Sequence, residues 1–374
     1  MARRIVIAAG AGAILVAAVV IARIDFRSGS PPASPAGSPA AARPAETHPS
    51  GAAGPAAVNV EGAAQRFERT INAASPGTWT YIAEGPVVSP GALDEWDDFA
   101  IGYVSVLRDG DAKGSYQLWY QGCSLGVRGQ RCAIGHAASS DGIRWKKTPG
   151  PIFVPPEPQA TADLRGVTVV RGNDRYYMWY SIAPSWFDGR KVSTLHLATS
   201  ADGRAWEGKG QVFAGIEQIE RHLDPSALWD GSRFHLWVVD SMLAVGGSAA
   251  PPDGAPLLRH LISSDGREWK ESGSFPLASL GIGRVRPTVA ARARGGYRAV
   301  LFDQNAIALL WIESNDGDTW QLASPPKAEL HIPPPEEVET LDDATALDGQ
   351  DGTFAWLVAG KDGRNGVRLG FLRR

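Results

Sequence analysis

Four stretches of the chain share one order of apolar and polar positions. Each contains a seven-residue run that alternates or is apolar and has no Pro, namely AIGHAAS, TLHLATS, LLRHLIS and ALLWIES. Such runs predict β-strands. Each run leads into an Asp-Gly step with a Trp three residues after the Gly, in SSDGIRW, TSADGRAW, SSDGREW and SNDGDTW. Asp-Gly between two strands predicts a hairpin turn, because Gly accepts a positive φ and the Asp carboxylate accepts backbone N–H bonds.

The turns recur with the spacing of a repeat protein. Asp141, Asp202, Asp265 and Asp316 are separated by 61, 63 and 51 residues, a period in the range of propeller blades rather than of helical repeats. A further apolar strand precedes each turn and also occurs once after the last turn, at 116–122, 176–182, 234–240, 297–303 and 354–360. Five copies of this middle strand predict five blades.

There are five middle strands but only four Asp-Gly turns, and the N-terminal part of the repeat region explains why one turn is missing. The C-terminal unit ends without an Asp-Gly turn, whereas residues 78–90 resemble the outer strand at 144–156, with Trp79 as the fifth Trp. An N-terminal outer strand that pairs with the last blade would close the ring and leave no exposed sheet edge. We therefore predict an all-β fold, a five-bladed β-propeller at residues 76–374.

The N-terminal residues have a different pattern. Arg3 and Arg4 precede an uncharged apolar run of 18 residues at 5–22, which is long for a signal-peptide core and just long enough to cross a bilayer. We interpret residues 1–27 as a membrane anchor or signal segment and the Pro/Ala/Ser-rich residues 28–75 as a linker. A positively charged start keeps the N-terminus in the cytoplasm. The prediction is an exported, extracytoplasmic protein, periplasmic or at the cell surface, that is anchored or secreted and contacts the membrane only through this segment.

Composition narrows the range of partners. The net charge is −3, 44 % of the residues are hydrophobic and there are 13 Trp, so the chain can bury a large core but lacks the basic excess of a nucleic-acid binder. We expect a carbohydrate ligand, no nucleic acid, no cofactor and a monomer. Cys123 and Cys132 are the only cysteines, and their spacing does not indicate a metal site. After export they would form a disulfide; the alternative is two unpaired thiols.

Residues 96–275 carry the clearest family resemblance. The segments YQLWYQG, AIGHAASSDGIRWKKTPGPIF, DLRGVTVV, YYMWYS and LHLATSADGRAW resemble the five-bladed propeller glycosidases of the arabinanase, β-xylosidase, invertase and levansucrase superfamily and their mannoside phosphorylase relatives. The turns also resemble the Asp box of sialidases, although that box has one more residue between Asp and Gly. In those families such turns are structural and peripheral, so the resemblance implies that the chemistry lies elsewhere.

The innermost strand of each blade lines the central funnel of a propeller, and its start faces the ligand. The corresponding segments are 95–107, 161–170, 221–229, 283–291 and 340–347. Aligned on the middle strands, Asp224, Arg286 and Asp343 take equivalent positions, while Asp98 and Asp163 come slightly earlier. Glycoside cleavage needs two carboxyl groups, one to protonate the leaving oxygen and one to activate water or attack the sugar. A ring of inward Asp residues could supply both.

The resemblance implies roles for individual residues. Asp98, or the adjacent Asp97, would act as base or nucleophile, Asp163 or Asp224 would orient sugar hydroxyls and tune the acid, and Arg286 would bind a hydroxyl or a charged group. The superfamily usually takes its proton donor from a Glu on an inner strand of a middle blade. This sequence has Asp224 and Arg286 there, so Glu220 is the nearest substitute.

Other predictions in this region leave two alternatives open. Trp96 would stack on a sugar ring or pack the first blade. Four arginines together would suit a phosphate or a carboxylated sugar, or would remain solvated: Arg165, Arg221, Arg284 and Arg286. Arg286 would otherwise pair with a nearby Asp in the funnel. His222 would lie near a metal or chloride site, as a central His does in some arabinanases, or on the surface. Each Asp, Asp343 included, has a structural alternative as the cap of a turn.

Two functions from different classes remain. The first is an exported enzyme that cleaves glycosidic bonds of an oligo- or polysaccharide, as a hydrolase or a phosphorylase. The second is a propeller that binds glycan or protein without catalysis. Two funnel carboxyls that converge would favour the enzyme, whereas a funnel filled by bulky side chains would favour the binding module.

Overall fold

The structure is a computed structural model. It describes residues 79–82, 85–108, 115–126, 129–156, 164–172, 174–183, 193–214, 221–242, 257–280, 285–291, 295–303, 308–323, 329–331, 338, 340–348, 352–361 and 364–373. The chain divides into Met1–Ala57 and Val58–Arg374, and all of these residues lie in the second unit. Within them, no helix is long and apolar enough to span a membrane. The anchor and linker predicted at 1–27 and 28–75 lie outside the described residues.

The described strands form five antiparallel sheets, each of which is one blade. Blade 1 contains β2 (Ala100–Arg108), β3 (Tyr116–Gly126), β4 (Gly129–Ser139) and β5 (Lys146–Lys147). Blade 2 contains β6 (Leu164–Arg171), β7 (Tyr176–Ile182), β8 (Thr194–Ser200) and β9 (Trp206–Ala214). Blade 3 contains β10 (Arg221–Trp229), β11 (Phe234–Met242), β12 (Leu257–Ser263) and β13 (Lys270–Pro276). A short 3₁₀-helix, Leu277–Leu280, follows blade 3.

Blade 4 contains β14 (Val285–Ala291), β15 (Tyr297–Asp303), β16 (Ala308–Ser314), β17 (Gln321–Leu322) and β18 (Glu329–His331), and the last two both pair with β16. Blade 5 contains β19 (Thr340–Asp348), β20 (Gly352–Lys361), β21 (Arg364–Arg373) and the N-terminal β1 (Trp79–Tyr81). Trp79 lies opposite Leu372 in β21. The predicted five-bladed propeller, closed by an N-terminal strand on the last blade, is confirmed.

Five apolar clusters join the blades in pairs. The cluster between blades 1 and 2 contains Trp119 and Met178, and the cluster between blades 5 and 1 contains Tyr120 and Trp356. The other three clusters fill the remaining blade interfaces in the same way. Alternation along each strand directs successive side chains to opposite faces of a blade. Each blade therefore packs against both neighbours, and the core of the ring consists of these five clusters.

The four Asp–Gly turns, at 139–145, 200–206, 263–269 and 314–320, have one internal structure. In the first, Asp141 Oδ1 accepts the N–H groups of Ile143 and Arg144 at 3.0 and 2.8 Å, and Gly142 has a φ of 76°. Burial opposes these bonds, but the bonds outweigh it and lower the pKa of the Asp141 carboxyl. The backbone bonds from Thr319 and Asp318 lower the pKa of Asp316 to about 2. The Asp side chains of the turns are thus fully engaged in the scaffold.

A Trp in a middle strand links each of the first three blades to the turn of the next blade. Trp119 Nε1 donates to Gly203 O at 2.8 Å, Trp179 Nε1 to Gly266 O at 3.0 Å and Trp237 Nε1 to Gly317 O at 2.9 Å. Blade 4 has Val300 at this position, and the blade after it lacks an Asp–Gly turn. In the first three blades, the indole and the turn of the next blade are therefore two halves of one inter-blade contact.

Cys123 and Cys132 lie opposite each other in the hairpin formed by β3 and β4, and they form a disulfide. This was the predicted alternative to unpaired thiols. The bond closes a short loop, with a sequence separation of 9. Its loop-closure entropy corresponds to about 2–3 kcal/mol of stability.

Candidate functional site

The five inner strands β2, β6, β10, β14 and β19 define the two ends of the propeller. The funnel face is the end at which these strands begin. The turn face is the end at which they finish, and the Asp–Gly turns lie there. In blade 1, Arg108 at the end of β2 lies opposite Tyr116, which lies opposite Ser139 of the first Asp–Gly turn.

One level of the axis is occupied by equivalent residues of the last three blades. Asp224 lies opposite Val239, Arg286 opposite Phe302 and Asp343 opposite Val358. In each middle strand this partner comes two residues after the position of the linking Trp, which is occupied by Trp237, Val300 and Trp356 in blades 3, 4 and 5. All three polar side chains are buried, with exposed fractions of 6 %, 5 % and 2 %. Three buried ionisable groups thus share one level near the axis.

Bulges shape the other two blades at the same level. The register shifts between Gly102 and Val104 in β2 and between Arg165 and Val167 in β6. The extra residues, Tyr103 and Gly166, have positive φ values of 25° and 36°. A positive φ is unusual for an aromatic residue, and bulges are enriched near active sites, where they redirect a side chain. Sequence reasoning did not identify Tyr103, although a Gly inside a predicted inner strand is a recognised sign of a bulge.

Arg286 connects this level of the propeller. Its Nη1 forms an ion pair with Asp343 Oδ2, and its Nη2 donates to the carbonyls of Val104 and Val167 at 3.1 and 2.9 Å. The guanidinium also lies 5.2 Å from the centre of the Tyr103 ring. Arg286 of blade 4 therefore contacts blades 1, 2 and 5, and its planar, forked donors suit such a junction.

The charges of this cluster are tightly coupled. Burial lowers the pKa of Arg286 to about 10, and the nearby charge of Asp224 opposes that change. The guanidinium therefore stays protonated at neutral pH. Asp343 Oδ2 also accepts the N–H of Val104 at 3.1 Å. A buried cation between two carboxylates is satisfied electrostatically, whereas removal of one partner from such a group costs about 3–5 kcal/mol.

Asp97 lies inside blade 1 rather than at the axis. Its side chain is fully buried. Its Oδ2 accepts a hydrogen bond of 2.9 Å from the Tyr120 hydroxyl and forms an ion pair with Lys147 Nζ at 2.6 Å. Burial and the Asp97 charge raise the pKa of Tyr120 above its ordinary value. Trp96 stacks on Tyr120 with ring centres 5.8 Å apart. These contacts favour packing roles for Trp96 and Asp97, and no surface of Asp97 is open to a ligand.

Asp98 is half-buried and closes a turn before β2. Its Oδ2 accepts the N–H of Asp94 at 2.9 Å, and its main-chain carbonyl accepts a bond of 3.2 Å from Arg364 Nη2. The next residue, Phe99, donates its N–H to Cys123 O at 3.0 Å. The disulfide hairpin therefore helps to hold Asp98 at the funnel face. A catalytic role for Asp98 stays a prediction.

Arg165 lies in β6 immediately before the bulge, opposite Ser181. The side chain is half-buried, and its buried Nε has no hydrogen-bond partner among the described residues. A buried donor of this kind is costly unless another group bonds it. Arg165 therefore offers a buried donor that a ligand can bond.

Three further candidates, His222, Asp163 and Glu220, come from the segments at the start of β6 and β10. His222 lies in β10 opposite Ser241. Asp163 and Glu220 lie outside the described residues. The structure thus brings Asp224, Arg286 and Asp343 together, holds Asp98 and Arg165 at the starts of blades 1 and 2, and encloses Asp97 elsewhere.

Comparison with known proteins supports a carbohydrate-related fold. No family model matches the chain. It is 33 % identical over 130 residues to an uncharacterized protein of Mycobacterium tuberculosis (strain CDC 1551 / Oshkosh), which is 34 % of this chain and 39 % of that protein. It is 26 % identical over 137 residues to a 1,2-beta-oligomannan phosphorylase of Thermoanaerobacter sp. (strain X514), at 35 % and 44 % coverage. The chain thus spans less than half the length of these curated relatives.

Solved structures show the same fold over most of the chain. A sucrose-6-phosphate hydrolase from Lactobacillus gasseri superposes with a TM-score of 0.55 at 14 % identity, covering 83 % of this chain and 63 % of that one. A structure from the GH130 family of mannoside phosphorylases, which contains glycoside hydrolases that target beta-1,2 mannosidic linkages in Candida mannan, gives 0.52 at 13 % identity and covers 79 % and 94 %. The resemblance seen in the sequence is thereby confirmed: this chain has the fold of the five-bladed propeller glycoside hydrolases and mannoside phosphorylases.

Proposed function

We propose that this chain is a carbohydrate-active enzyme that cleaves glycosidic bonds of an oligo- or polysaccharide at its funnel face. The observation that carries the proposal is the buried level of Asp224, Arg286 and Asp343 in a propeller whose structural neighbours act on glycosides. Charged groups at such depth are costly, and perturbed, clustered ionisable groups are enriched at functional sites.

The chemistry needs a proton donor and a second carboxylate. The donor protonates the glycosidic oxygen as the bond to the anomeric carbon breaks, and the second group activates water or attacks that carbon. In phosphorolysis, inorganic phosphate attacks instead of water. Asp98, Asp163, Asp224 and Glu220 are the candidates for the two carboxyl roles, and Arg165 would donate to a sugar hydroxyl or to phosphate.

Mannosides linked β-1,2 are the first substrates to test, because that linkage is named for both the phosphorylase relative and one structural neighbour. Export of the protein is supported by the disulfide, since such bonds persist in oxidising compartments. N-terminal sequencing of the protein recovered from a membrane fraction tests whether residues 1–27 anchor the chain or are cleaved. Recovery of the protein in the cytoplasm alone would contradict export.

A non-catalytic propeller that binds glycan or protein is the second candidate. The observation in its favour is that Arg286 is already engaged by Asp343 and by carbonyls of blades 1 and 2. A cluster whose charges are already paired with one another can close the channel without serving a substrate.

The experiment that separates the two is a turnover assay on β-1,2-mannobiose and longer mannan oligosaccharides, with and without inorganic phosphate. The variants are Asp98→Asn, Asp224→Asn and Glu220→Gln, with Asp174→Asn as a matched control at an exposed carboxylate. Loss of general acid–base catalysis should lower kcat by about a hundredfold or more. The melting temperature of Asp98→Asn should change little, because an Asn oxygen can still accept the Asp94 N–H. Asp224→Asn removes a carboxylate beside the buried Arg286 and should lower the melting temperature, so its turnover is measured well below that temperature.

Each outcome has a defined meaning. Turnover only with phosphate identifies a phosphorylase, and turnover without phosphate identifies a hydrolase. Wild-type rates in Asp98→Asn, Asp224→Asn and Glu220→Gln would contradict the catalytic assignment. Saturable glycan binding without turnover on any oligosaccharide of the panel would replace the enzyme with the binding module.

A further inference from the structure

A second opening lies at the other end of the axis. A cavity of about 310 Å³ is lined by the later halves of the inner strands, from Val104 and Arg286 at its inner end to Arg108, Arg171 and Trp229 at the turn face. This volume is at the lower end of the range for small-molecule sites. The cavity lies apart from Asp98 and Arg165, which stand where the inner strands begin.

A ring of hydroxyl side chains surrounds this cavity. Each inner strand contributes one Ser or Thr at the equivalent register, namely Ser105, Thr168, Ser226, Thr288 and Thr345. The first three each accept an N–H from the next inner strand, from Val169, Ala227 and Val289, at 3.0, 3.0 and 2.9 Å. A hydroxyl that accepts one bond still has its own hydrogen to donate.

The charged residues that line the cavity all have one sign. They are Arg108, Arg171 and Arg286, and none of the described lining residues is an Asp or Glu. Arg108 and Arg171 lie over the rings of Tyr116 and Tyr176, at 6.0 and 5.6 Å from the ring centres. Arg286 is 5 % exposed. This lining is notable in a chain with a net charge of −3.

Arginines and hydroxyl donors without a carboxylate are the groups that recognise an anion. Asp224 and Asp343 offset the charge of Arg286, so the attraction must come mainly from Arg108 and Arg171. Their guanidinium groups supply forked donors at the rim, and the hydroxyl ring supplies donors below them. Apolar side chains such as Val169 and Val289 fill the wall between these donors, which leaves room for the carbon part of an organic ligand.

We propose that the turn face carries an axial binding site for a small anion, a carboxylate or a phosphate no larger than a monosaccharide derivative. The anionic group lies at the rim near Arg108 and Arg171, and the rest of the ligand reaches toward the hydroxyl ring. This site does not depend on the function proposed for the funnel face.

The test is isothermal titration of the full chain with inorganic phosphate, with glucuronate and with glucose as the neutral probe. We expect saturable binding of phosphate, of glucuronate or of both, and none of glucose. The double variant Arg108→Ala/Arg171→Ala should weaken that binding at least tenfold, and Thr288→Val should weaken it severalfold. Arg175→Ala is the matched control, because Arg175 is exposed beside Asp174 near the same face and does not line the cavity.

The outcomes distinguish phosphate ligands from carboxylate ligands, and binding at the turn face from binding at the funnel face. Binding of phosphate alone assigns the site to phosphorylated ligands, and binding of glucuronate alone assigns it to carboxylates. Absence of saturable binding by either probe would overturn the proposal. Binding that survives in Arg108→Ala/Arg171→Ala would also overturn it, since the anion would then bind elsewhere, including the funnel face.

Discussion

The contact between a middle-strand Trp and the next Asp–Gly turn can be measured with a matched pair of variants. Trp179→Phe removes the indole N–H that donates to Gly266 O at 3.0 Å, and the side chain is 0 % exposed. Trp356 stands at the same position in blade 5 and is 1 % exposed, but its Nε1 has no hydrogen-bond partner among the described residues. Trp356→Phe therefore makes the same replacement of an indole by a phenyl ring without the loss of a hydrogen bond.

The two variants should differ by at least about 2 kcal/mol in the free energy of unfolding. Both lose similar volume, so the cost of the cavity largely cancels. Trp179→Phe also leaves the buried carbonyl of Gly266 without this donor, at a cost of about 1–3 kcal/mol. Trp356→Phe instead removes a buried donor that pays a desolvation penalty of similar size. We expect Trp179→Phe to be the more destabilised variant.

The assay is urea unfolding followed by circular dichroism, which does not depend on the fluorescence of the Trp that is removed. Equal m values in the wild type and both variants would show that the same surface is exposed on unfolding. The melting temperatures should differ by roughly 2–4 °C for each kcal/mol. Equal destabilisation of the two variants, or a larger loss in Trp356→Phe, would refute the assignment of the indole bond as an inter-blade link.

Two further predictions concern closure and pH. Deletion of residues 1–90 should abolish soluble, cooperatively unfolding protein, because β21 loses Trp79 and its pairing partner β1, whereas deletion of residues 1–77 should not; a cooperative thermal transition in the shorter protein would contradict this. Burial lowers the pKa of His136 to about 4 from its ordinary value of 6.5; the charge of Arg204 adds to this effect and the charge of Asp202 opposes it. Between these values the unfolded chain binds the proton and the folded chain does not, so the free energy of unfolding should fall by up to about 3 kcal/mol as the pH falls from 6.5 to 4. His136→Asn should lack this part of the fall in urea unfolding across that pH range, and an unchanged slope would show that His136 is already solvated in the folded state.

The fold could be predicted from the sequence because its repeat is strict. Alternation fixes which side chains face the neighbouring blade, and each Asp-Gly step marks the return of a strand. The absence of the turn from the last unit and the additional Trp79 were enough to predict closure by an N-terminal strand. The link between Trp179 and Gly266 was not predicted, although Val300 stands at the Trp position in the one blade that is followed by no turn.

The candidate site was harder to predict, because the presence of an Asp near the start of an inner strand does not show whether its side chain points to the funnel or into the blade. Asp97 and Asp98 are adjacent, yet one is enclosed beside Tyr120 and the other closes a turn at Asp94. Spacing alone could not separate them. The bulge at Tyr103 depends on a local change of register that alternation does not report. By contrast, Asp224, Arg286 and Asp343 pair with equivalent middle-strand residues, the last of them despite a register shift between Leu341 and Asp343, and alignment on the middle strands was sufficient to group them.

The position of Arg286 limits which carboxyl can act as the proton donor. A cation next to a carboxylate favours its ionised form, and Arg286 is paired with Asp343 and lies within the field of Asp224. Both groups are therefore better suited to orient hydroxyls or to activate water than to hold a proton at neutral pH. A general acid needs surroundings that favour the protonated form, so it must stand away from this guanidinium. Asp98 closes a turn before β2 and has no contact with Arg286 among the described residues. In the chain, Glu220 directly precedes β10, the strand that carries Asp224.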